Sequence, residues 1–370
     1  MSFATGKMPS FMYGRKEFRD VPVFCLHSAR HSDFERQLAF LQRNGYRALD
    51  SEQLYERISD PGYSNNGKEI VLTFDDGMAS VWTVAFPLLQ KYEQRIVSFI
   101  LPGLIEEGEA AGPNITDTDD AAGRDCSDSP LCNWKEIKIM HDSGLVDFQS
   151  HGMYHSLISV SPTIVDFVHP DFDTHHYGNI HIPVFQDGAR DQLRDKVLGH
   201  PIYKHSPRLL GLPRYLDSPA LRSACAEYVS SKGGKAFFEQ RTWRKQLHGF
   251  AAACRKEEDD SNRFESESQV RTALTEELSD SKLHIERRLN KTVHSFCFPW
   301  FGASERSARL ALECGYDTIY LGVAPGFRTT GERGYPTAVA RLQEEYLFAL
   351  PGSGGKGVLA PITYKLTRRL

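Results

Sequence analysis

Two adjacent carboxylates follow a short apolar run in the first third of the chain. The run Ile70–Phe74 is followed by Asp75, Asp76 and Gly77. Burying two acids at the end of a strand is costly unless a charged group meets them. Because successive side chains of extended backbone point to opposite sides, one acid could bind a cation while the other faces a reacting water. A helix N-cap with a second acid in its first turn is the structural alternative.

Two histidines four residues apart follow another apolar run. His151 and His155 come directly after Leu145–Gln149. On one helical turn, both imidazoles would reach the same point. Two imidazoles and one carboxylate form a catalytic zinc set that leaves a position open for water. The spacing alone is weak evidence, because His27 and His31 are also four apart and ordinary surface or core histidines show it too.

A third segment, Phe296-Cys-Phe-Pro-Trp-Phe-Gly302, is apolar and aromatic. By composition it is an apolar strand ended by a proline. Like the segment with the two acids and the segment with the two histidines, it lies at the end of a predicted strand.

Short apolar runs alternate with amphipathic stretches along the chain. Helices are predicted with caps at Asp33, Ser51 and Asn133, and the long helix 268–289 precedes the third segment. Such alternation predicts parallel strands covered by helices, with the carboxyl ends of the strands converging on one site. The predicted strands cover residues 21–26, 70–74, 96–101, 145–149, 293–298 and 317–321.

Composition excludes several functional classes. The 370 residues include 44 Lys and Arg against 48 Asp and Glu, a net charge of −4 that offers no electrostatic footprint for nucleic acid. No apolar run is long enough to cross a bilayer, and the first residues lack the apolar core of a secretory signal. Seven cysteines at irregular spacing, among them Cys25 and Cys297 in apolar runs, fit buried thiols in a reducing compartment. We therefore expect a cytoplasmic protein without a membrane span.

Composition shifts divide the chain into five segments. We predict an N-terminal extension (1–20), the first part of a barrel (21–160), an insertion or lid with its own helices (161–268), the second part of the barrel (269–350) and a C-terminal tail (351–370).

Together these segments resemble the polysaccharide deacetylase family (NodB homology, carbohydrate esterase family 4). Thr73–Gly77 is similar to its first motif, and Ser150–Leu157 to its H-x-x-x-H second motif. Residues 277–289, followed by 294–302, resemble the helix and third motif of the F-A-Y-P-Y-G branch. The similarity covers roughly 21–160 and 270–345, and the segment between them is longer than the family usually has there.

The resemblance implies an α/β fold, a distorted (β/α) barrel of about seven parallel strands, here with a long helical insertion. It implies a divalent metal on Asp76, His151 and His155, with zinc as first choice and cobalt, nickel or manganese as alternatives. Asp75 would be the general base. The backbone N–H of Trp300 would stabilise the oxyanion. The aromatic segment, including Phe298, Pro299 and Trp300, would line the sugar pocket.

Two departures from the family pattern leave the general acid open. The family takes this acid from a late L-x-H motif, but the chain has no histidine after His294. The third motif also lacks its arginine, and Ala340-Arg-Leu342 resembles the arginine-containing ending of some relatives. His27, at the end of the first strand, is our candidate acid, with a capping role as the alternative. The insertion histidines His175, His176 and His181 are further candidates, either for the acid or for a second metal site.

The first functional hypothesis is a metal-dependent hydrolase that removes an N-acetyl or N-formyl group from an amino sugar or a sugar-containing metabolite. The expected partner is an amino-sugar or glycan-type substrate, and the missing signal favours a small cytoplasmic one over a cell-wall polymer. The alternatives are an amidohydrolase acting on a non-sugar amide and a catalytically silent carbohydrate-binding barrel. Neither the sugar nor the oligomeric state follows from the sequence.

Overall fold

A computed structural model describes most of the chain. The described residues are 21–60, 62–65, 68–118, 124–125, 130–172, 186–187, 190–191, 195–255, 263–322 and 336–357. The predicted N-terminal extension, the insertion histidines His175, His176 and His181, and the tail beyond residue 357 lie outside them.

The contacts within the chain group into two compact units. The first comprises residues 1–153 and 276–370, and the second comprises 154–275. The insertion boundaries 161–268 stay a prediction from sequence.

A parallel sheet curves through the first unit. Its strands are β1 (Val23–Leu26), β2 (Arg47–Ala48), β3 (Glu69–Phe74), β4 (Ile96–Ile100), β5 (Val146–Ser150), β10 (Ser295–Cys297), β11 (Thr318–Leu321), β12 (Thr337–Ala340) and β13 (Leu342–Gln343). In the described part of the chain, they lie in the order β12-β11-β10-β5-β4-β3-β1-β13, and β2 pairs with β3. Every pairing is parallel. The expected (β/α) barrel is thereby confirmed, with eight strands in this order where about seven were predicted.

One short segment nearly closes the barrel. β12 pairs with β11 at one end of the strand order, and β13 pairs with β1 at the other end. Only Arg341 lies between β12 and β13. The two edges of the sheet therefore meet across this residue, and its side chain is fully buried.

The barrel interior is filled by alternate residues of the strands. Val71 on β3, Val97 and Phe99 on β4, and Tyr320 on β11 belong to one buried cluster. Residues of one strand two positions apart share a face, which explains why one side of each strand packs inward. The opposite side packs against helices, so the strands read as nearly continuous apolar runs.

The helices follow the predicted alternation, but two caps differ. α1 begins at His31 after Arg30, which makes no side-chain cap; Asp33 lies in the first turn and pairs with Arg36 at 2.9 Å. The prediction that Asp33 caps this helix is therefore wrong. The cap of α2 is Asp50, one residue before the predicted Ser51. The helices are α1 (His31–Arg43), α2 (Ser51–Ser59), α3 (Phe86–Tyr92), α4 (Trp134–Asp142), α5 (Pro219–Ser231), α6 (Trp243–Arg255), α7 (Glu267–Leu289) and α8 (Glu305–Glu313).

The Asn133 cap of α4 is confirmed. Its side chain accepts from the N–H of Glu136, whose carboxylate in turn accepts from the N–H of Asn133. Two otherwise unpaired donors at the helix start are satisfied by this reciprocal pair.

A π-helical turn, Val81–Ala85, precedes α3. Pro87 has no N–H to offer the carbonyl of Thr83, and that carbonyl instead accepts from the N–H of Ile115 at 2.9 Å. The carbonyl that Pro87 leaves without a helical donor thereby binds the loop after β4.

The second unit combines helices with an antiparallel strand pair. The predicted helical region 216–255 contains α5 and α6, which enclose an apolar cluster with Phe167 and Phe237. The strand pair β6 (Leu157–Phe167) and β9 (Pro201–Pro207) was not predicted. Two-residue strands β7 (Gln186–Asp187) and β8 (Arg190–Asp191) also pair here. No helix among the described residues has the length and apolar character to cross a membrane.

The amino end of the barrel contains a largely buried ion pair. The carboxylate of Asp147 on β5 binds the ammonium of Lys291 and accepts from the hydroxyl of Ser51 and the amide of Gln149. The Asp147 side chain is 16% exposed. Burial works to raise its pKa, but Lys291 and the other donors outweigh burial and hold the pKa at about 2.

We predict that this pair stabilises the barrel in a pH-dependent way. The folded-state pKa of Asp147 lies below the unfolded value of about 3.9, so its contribution is complete above that value and is lost as pH falls towards 2. The contribution should be roughly 2.6 kcal/mol. Lys291→Met should lower the free energy of unfolding by about 3–5 kcal/mol at pH 7, because it leaves a buried carboxylate without its cation.

Urea unfolding at pH 7 and pH 3 measures both effects. The difference between parent and Lys291→Met should shrink at pH 3. Lys138→Met is the control, since the pair between Lys138 and Asp142 is exposed. An unchanged difference at the two pH values would contradict the role of Asp147.

Candidate active site

The carboxyl end of β3 presents the two acids in different directions. Asp75 directly follows the strand, and Asp76 has a left-handed backbone with φ of 69°. Gly77 also has a positive φ, and a Cβ there would lie 3.0 Å from Ile100. The next helical turn begins at Val81, after Ser80, so neither acid caps a helix. The helix-cap interpretation of this pair is therefore wrong.

Asp76 and the two predicted histidines lie together. Ligand atoms of Asp76, His151 and His155 are all within 4.8 Å of one another, and the three residues are buried. His151 follows β5, and His155 comes four residues later with a left-handed φ of 57°. The other pair at this spacing, His27 and His31, does not share a partner, because His31 lies on α1 and contacts Glu35 at 3.8 Å.

The geometry of His151 fits a metal ligand. Its Nδ1 lies 2.8 Å from the carbonyl of Cys297, a bond in which the ring nitrogen must donate. In the neutral imidazole, Nε2 then carries a lone pair, and it faces Oδ1 of Asp76 at 3.4 Å. Tetrahedral zinc bonds of about 2.0–2.2 Å place nitrogen and oxygen ligands roughly 3.4 Å apart. The donor set and this separation fit a divalent cation.

The charges around His151 support the same interpretation. Burial works to lower its pKa, yet the carboxylates of Asp75 and Asp76 outweigh burial and raise it. A positive charge between His151 and Asp76 is therefore favoured, whether a proton or a cation supplies it. The carbonyl of Cys297 orients the ring from behind, as partners of metal-bound histidines commonly do.

Asp75 is held by an arginine. Nη1 of Arg341 donates to Oδ1 of Asp75 at 2.6 Å, and Nη2 donates to Oδ2 at 2.9 Å. Nη1 also lies 3.2 Å from the hydroxyl of Thr73. The guanidinium lies over the rings of Phe99 and Phe301 at 5.9 and 5.1 Å. This two-pronged contact fixes both the position and the orientation of the carboxylate.

The pKa of Asp75 reflects this partner. Burial would raise it, but the Arg341 charge, followed by those of His151 and His27, outweighs burial and holds the pKa well below its usual range. Two thiols complete the surroundings, with Sγ of Cys25 at 3.6 Å from Oδ2 and Sγ of Cys297 at 3.7 Å from both oxygens. Burial raises the pKa of both thiols well above their usual value.

His27 also lies beside Asp75. Its Nε2 is 4.0 Å from Oδ2 of Asp75, and its side chain is 42% exposed. The edge of the ring contacts Phe301, with the ring centroids 6.2 Å apart. The candidate acid thus borders the candidate base and reaches solvent.

The aromatic segment after β10 is divided between core and surface. Phe298 is fully buried and packs edge-to-face on Phe296 at 4.8 Å, and Pro299 is buried as well. Trp300 and Phe301 are half-buried and have left-handed φ values of 60° and 55°. A substrate arriving from solvent would meet Trp300 and Phe301 before Phe298.

Sequence reasoning missed the role of three residues here. From the sequence, Arg341 is only part of a segment, Ala340-Arg-Leu342, that resembles the arginine-containing ending of some relatives. Cys25 and Cys297 are only predicted buried thiols. A signal for Arg341 was present, because a charged residue between apolar Val339-Ala340 and Leu342 needs a buried partner. No comparable feature of the sequence indicates that Cys25 or Cys297 contacts Asp75.

Comparison with known proteins agrees with this geometry. Residues 62–167 match the family model described as polysaccharide deacetylase, and they contain both acids and both histidines of the site. The resemblance to polysaccharide deacetylases is confirmed. Membership in the F-A-Y-P-Y-G branch stays a prediction.

Two curated relatives and one solved structure are similar to parts of the chain. The poly-beta-1,6-N-acetyl-D-glucosamine N-deacetylases of Escherichia coli K12 and O157:H7 are each 29% identical over 124 residues, 34% of this chain. The match spans only 17% of those proteins. A de-N-acetylase from Aggregatibacter actinomycetemcomitans is 16% identical with a TM-score of 0.51, covering 87% of this chain and 94% of that one. This likeness supports the fold alone.

We predict that Arg341→Met destabilises the protein by about 3–5 kcal/mol, because it leaves Asp75 buried without its cation. Combining it with Asp75→Asn should recover much of the loss, since both buried charges are then removed. Arg341→Lys should fall between parent and Arg341→Met, because an ammonium lacks the planar pair of donors. Denaturant unfolding measures all four proteins.

Arg309→Met serves as the control, since the ion pair between Arg309 and Glu305 is exposed. Its effect should stay within about 0.5 kcal/mol. If Arg341→Met and Arg309→Met unfold alike, Arg341 does not support Asp75.

Proposed function

We propose that this protein is a metal-dependent hydrolase that removes the N-acetyl group from an amino sugar within a glycan. The observation that carries the proposal is the placement of Asp75 next to the Asp76, His151 and His155 group. Asp76 lies with both histidines, while both oxygens of its neighbour Asp75 accept hydrogen bonds from Arg341. Amide hydrolysis at a metal centre needs this division between a ligand and a free base.

Asp76, His151 and His155 would hold the divalent cation. When bound, the cation would polarise the acyl oxygen and lower the pKa of a water ligand. Zinc suits a set of two imidazoles and one carboxylate, and cobalt, nickel and manganese are alternatives.

Asp75 would accept the proton from the attacking water. Its low pKa keeps it ionised at neutral pH, so it needs no prior loss of a proton. Arg341 would act as a positioning residue that orients the carboxylate.

His27 would protonate the leaving nitrogen of the sugar. Its contact with solvent and its position beside Asp75 allow it to hold a proton near the reacting group. The acyl carbon–nitrogen bond then breaks, releasing acetate and the free amine. The backbone N–H of Trp300 would stabilise the negative charge on the acyl oxygen. Trp300 and Phe301 would border the sugar, whereas Phe298 and Pro299, predicted from the sequence to line the pocket, are buried in the core.

The relatives favour a glycan substrate. The two curated relatives are named as deacetylases of a poly-N-acetylglucosamine, in contrast to the small cytoplasmic substrate favoured by the sequence alone. We therefore propose N-acetylglucosamine oligomers as the first substrates to test. A cytoplasmic location, which rests on the sequence alone, is retained as a separate proposal.

We predict opposite effects for two substitutions at this site. Asp75→Asn should retain the cation but lower kcat by ~10²–10⁴-fold, because it removes the proton acceptor. His151→Ala should lose the cation itself. Acetate release from N-acetylglucosamine oligomers and metal analysis after desalting measure the two effects, with circular dichroism as a check on folding.

Equal activity in the two variants would refute these roles. Acetate release from simple N-acetylated amines but not from the oligomers would favour a non-sugar amidase. A metal-loaded parent that releases no acetate from any amide would favour a silent carbohydrate-binding barrel.

We predict a leaving-group dependence for His27. His27→Gln should lower kcat on N-acetylglucosamine oligomers by ~10²-fold, because the amine departs without a proton. A 4-nitrophenyl acetate substrate should lose little, since its leaving group needs no protonation. His31→Gln is the control, as His31 lies on α1 and contacts only Glu35 among the ion pairs of the described chain. Equal losses on both substrates would exclude His27 as the acid.

A further inference from the structure

A second set of metal-ligating atoms includes Asp75. Ligand atoms of Cys25, His27 and Asp75 are all within 4.8 Å of one another. None of these residues belongs to the Asp76, His151 and His155 group. The three residues come from the carboxyl ends of adjacent parallel strands, β1 and β3.

The separations in this set match a tetrahedral thiolate site. Zinc bonds of about 2.3 Å to sulfur and about 2.1 Å to oxygen place these atoms roughly 3.6 Å apart, and nitrogen and oxygen roughly 3.4 Å apart. Sγ of Cys25 lies 3.6 Å from Oδ2 of Asp75, and Nε2 of His27 lies 4.0 Å from the same oxygen. His27 would have to move by about half an ångström. Its exposed side chain has room to do so.

Oδ2 is the oxygen that a cation could share. Arg341 makes its shorter contact, 2.6 Å, to Oδ1 and its longer contact, 2.9 Å, to Oδ2. Cys25 and His27 both approach Oδ2. Sγ of Cys297 lies 3.7 Å from this oxygen but belongs to a different group of neighbouring ligand atoms, with Asp75 and His151. Three protein ligands leave the fourth tetrahedral position open.

We propose that Cys25, His27 and Asp75 form a second site for a thiophilic divalent cation such as Zn²⁺, Co²⁺ or Cd²⁺. Thiolate and imidazole ligands prefer such cations over Mg²⁺ or Mn²⁺. On binding, the Cys25 thiol releases its proton to solvent. The positive charge of Arg341 opposes a second cation, so this site is weaker than the first.

Occupation of this site would inhibit the enzyme. The cation would engage Asp75 and His27, the proposed base and acid, and neither would then exchange a proton with substrate. This consequence rests on the proposed function. Binding of the cation does not.

Cobalt titration followed by absorption spectroscopy tests the binding. A thiolate ligand to Co²⁺ produces a charge-transfer band in the near ultraviolet, whereas the Asp76, His151 and His155 group contains no sulfur. We expect this band to grow with the second equivalent of Co²⁺, after the first has bound. It should be absent in Cys25→Ser, in which the hydroxyl can still donate to Asp75 but offers no thiolate.

Two further variants separate the sites. Cys132→Ala removes a buried thiol that donates to the carbonyl of Met78, and should keep the band. His155→Ala should bind one cobalt fewer and still show the band, so loss of the first site does not imitate loss of the second. Circular dichroism checks that each variant folds.

Zinc inhibition tests the consequence. Excess Zn²⁺ should lower the parent's activity at least tenfold, measured relative to the same protein with one equivalent, and this ratio should approach one in Cys25→Ser. No charge-transfer band in the parent, or an equal band in Cys25→Ser, overturns the second site. A band without inhibition keeps the site and overturns its regulatory effect.

Discussion

The ion pair between Arg341 and Asp75 is the interaction on which the candidate site depends. Arg341 is the one residue between the two strands at opposite ends of the sheet, and its guanidinium reaches across the interior to the carboxyl end of β3. A buried ion pair is weak evidence of stability, because well-packed apolar residues often replace it without loss. Its value here is chemical, since it keeps one carboxylate ionised and oriented at the mouth of the barrel.

The two neighbouring acids have different partners. Asp75 accepts from Arg341 on both oxygens, whereas Asp76, whose backbone is left-handed, has Oδ1 3.4 Å from Nε2 of His151. His155 and Trp300 share this uncommon backbone conformation. Such residues persist only where the surrounding structure holds them, and they concentrate at functional sites. The rigid ends of the parallel strands supply that support.

The sequence predicted what local patterns determine. Apolar runs located the strands, and the short motifs located Asp75, Asp76, His151 and His155, because these features depend on residues close in sequence. It did not predict the partner of Asp75, since Arg341 lies 266 positions away and the contact exists only once the barrel has closed. The β6 and β9 pair was missed for the same reason. The Asp33 cap was wrong because α1 begins at His31, which places Asp33 inside the first turn.

The surroundings of Asp75 also explain how one acid could serve two kinds of chemistry. Its two oxygens are unequal: Oδ1 has the closer arginine contact, and Oδ2 faces both Cys25 and His27. A carboxylate satisfied on both oxygens by a fixed guanidinium resists a cation of ordinary affinity, which leaves it available as a base. A thiolate beside it changes that balance only for cations that prefer sulfur. The preference of this position for thiophilic cations would therefore follow from the thiol and imidazole beside Asp75. The charge of Arg341 would weaken the binding of every cation there.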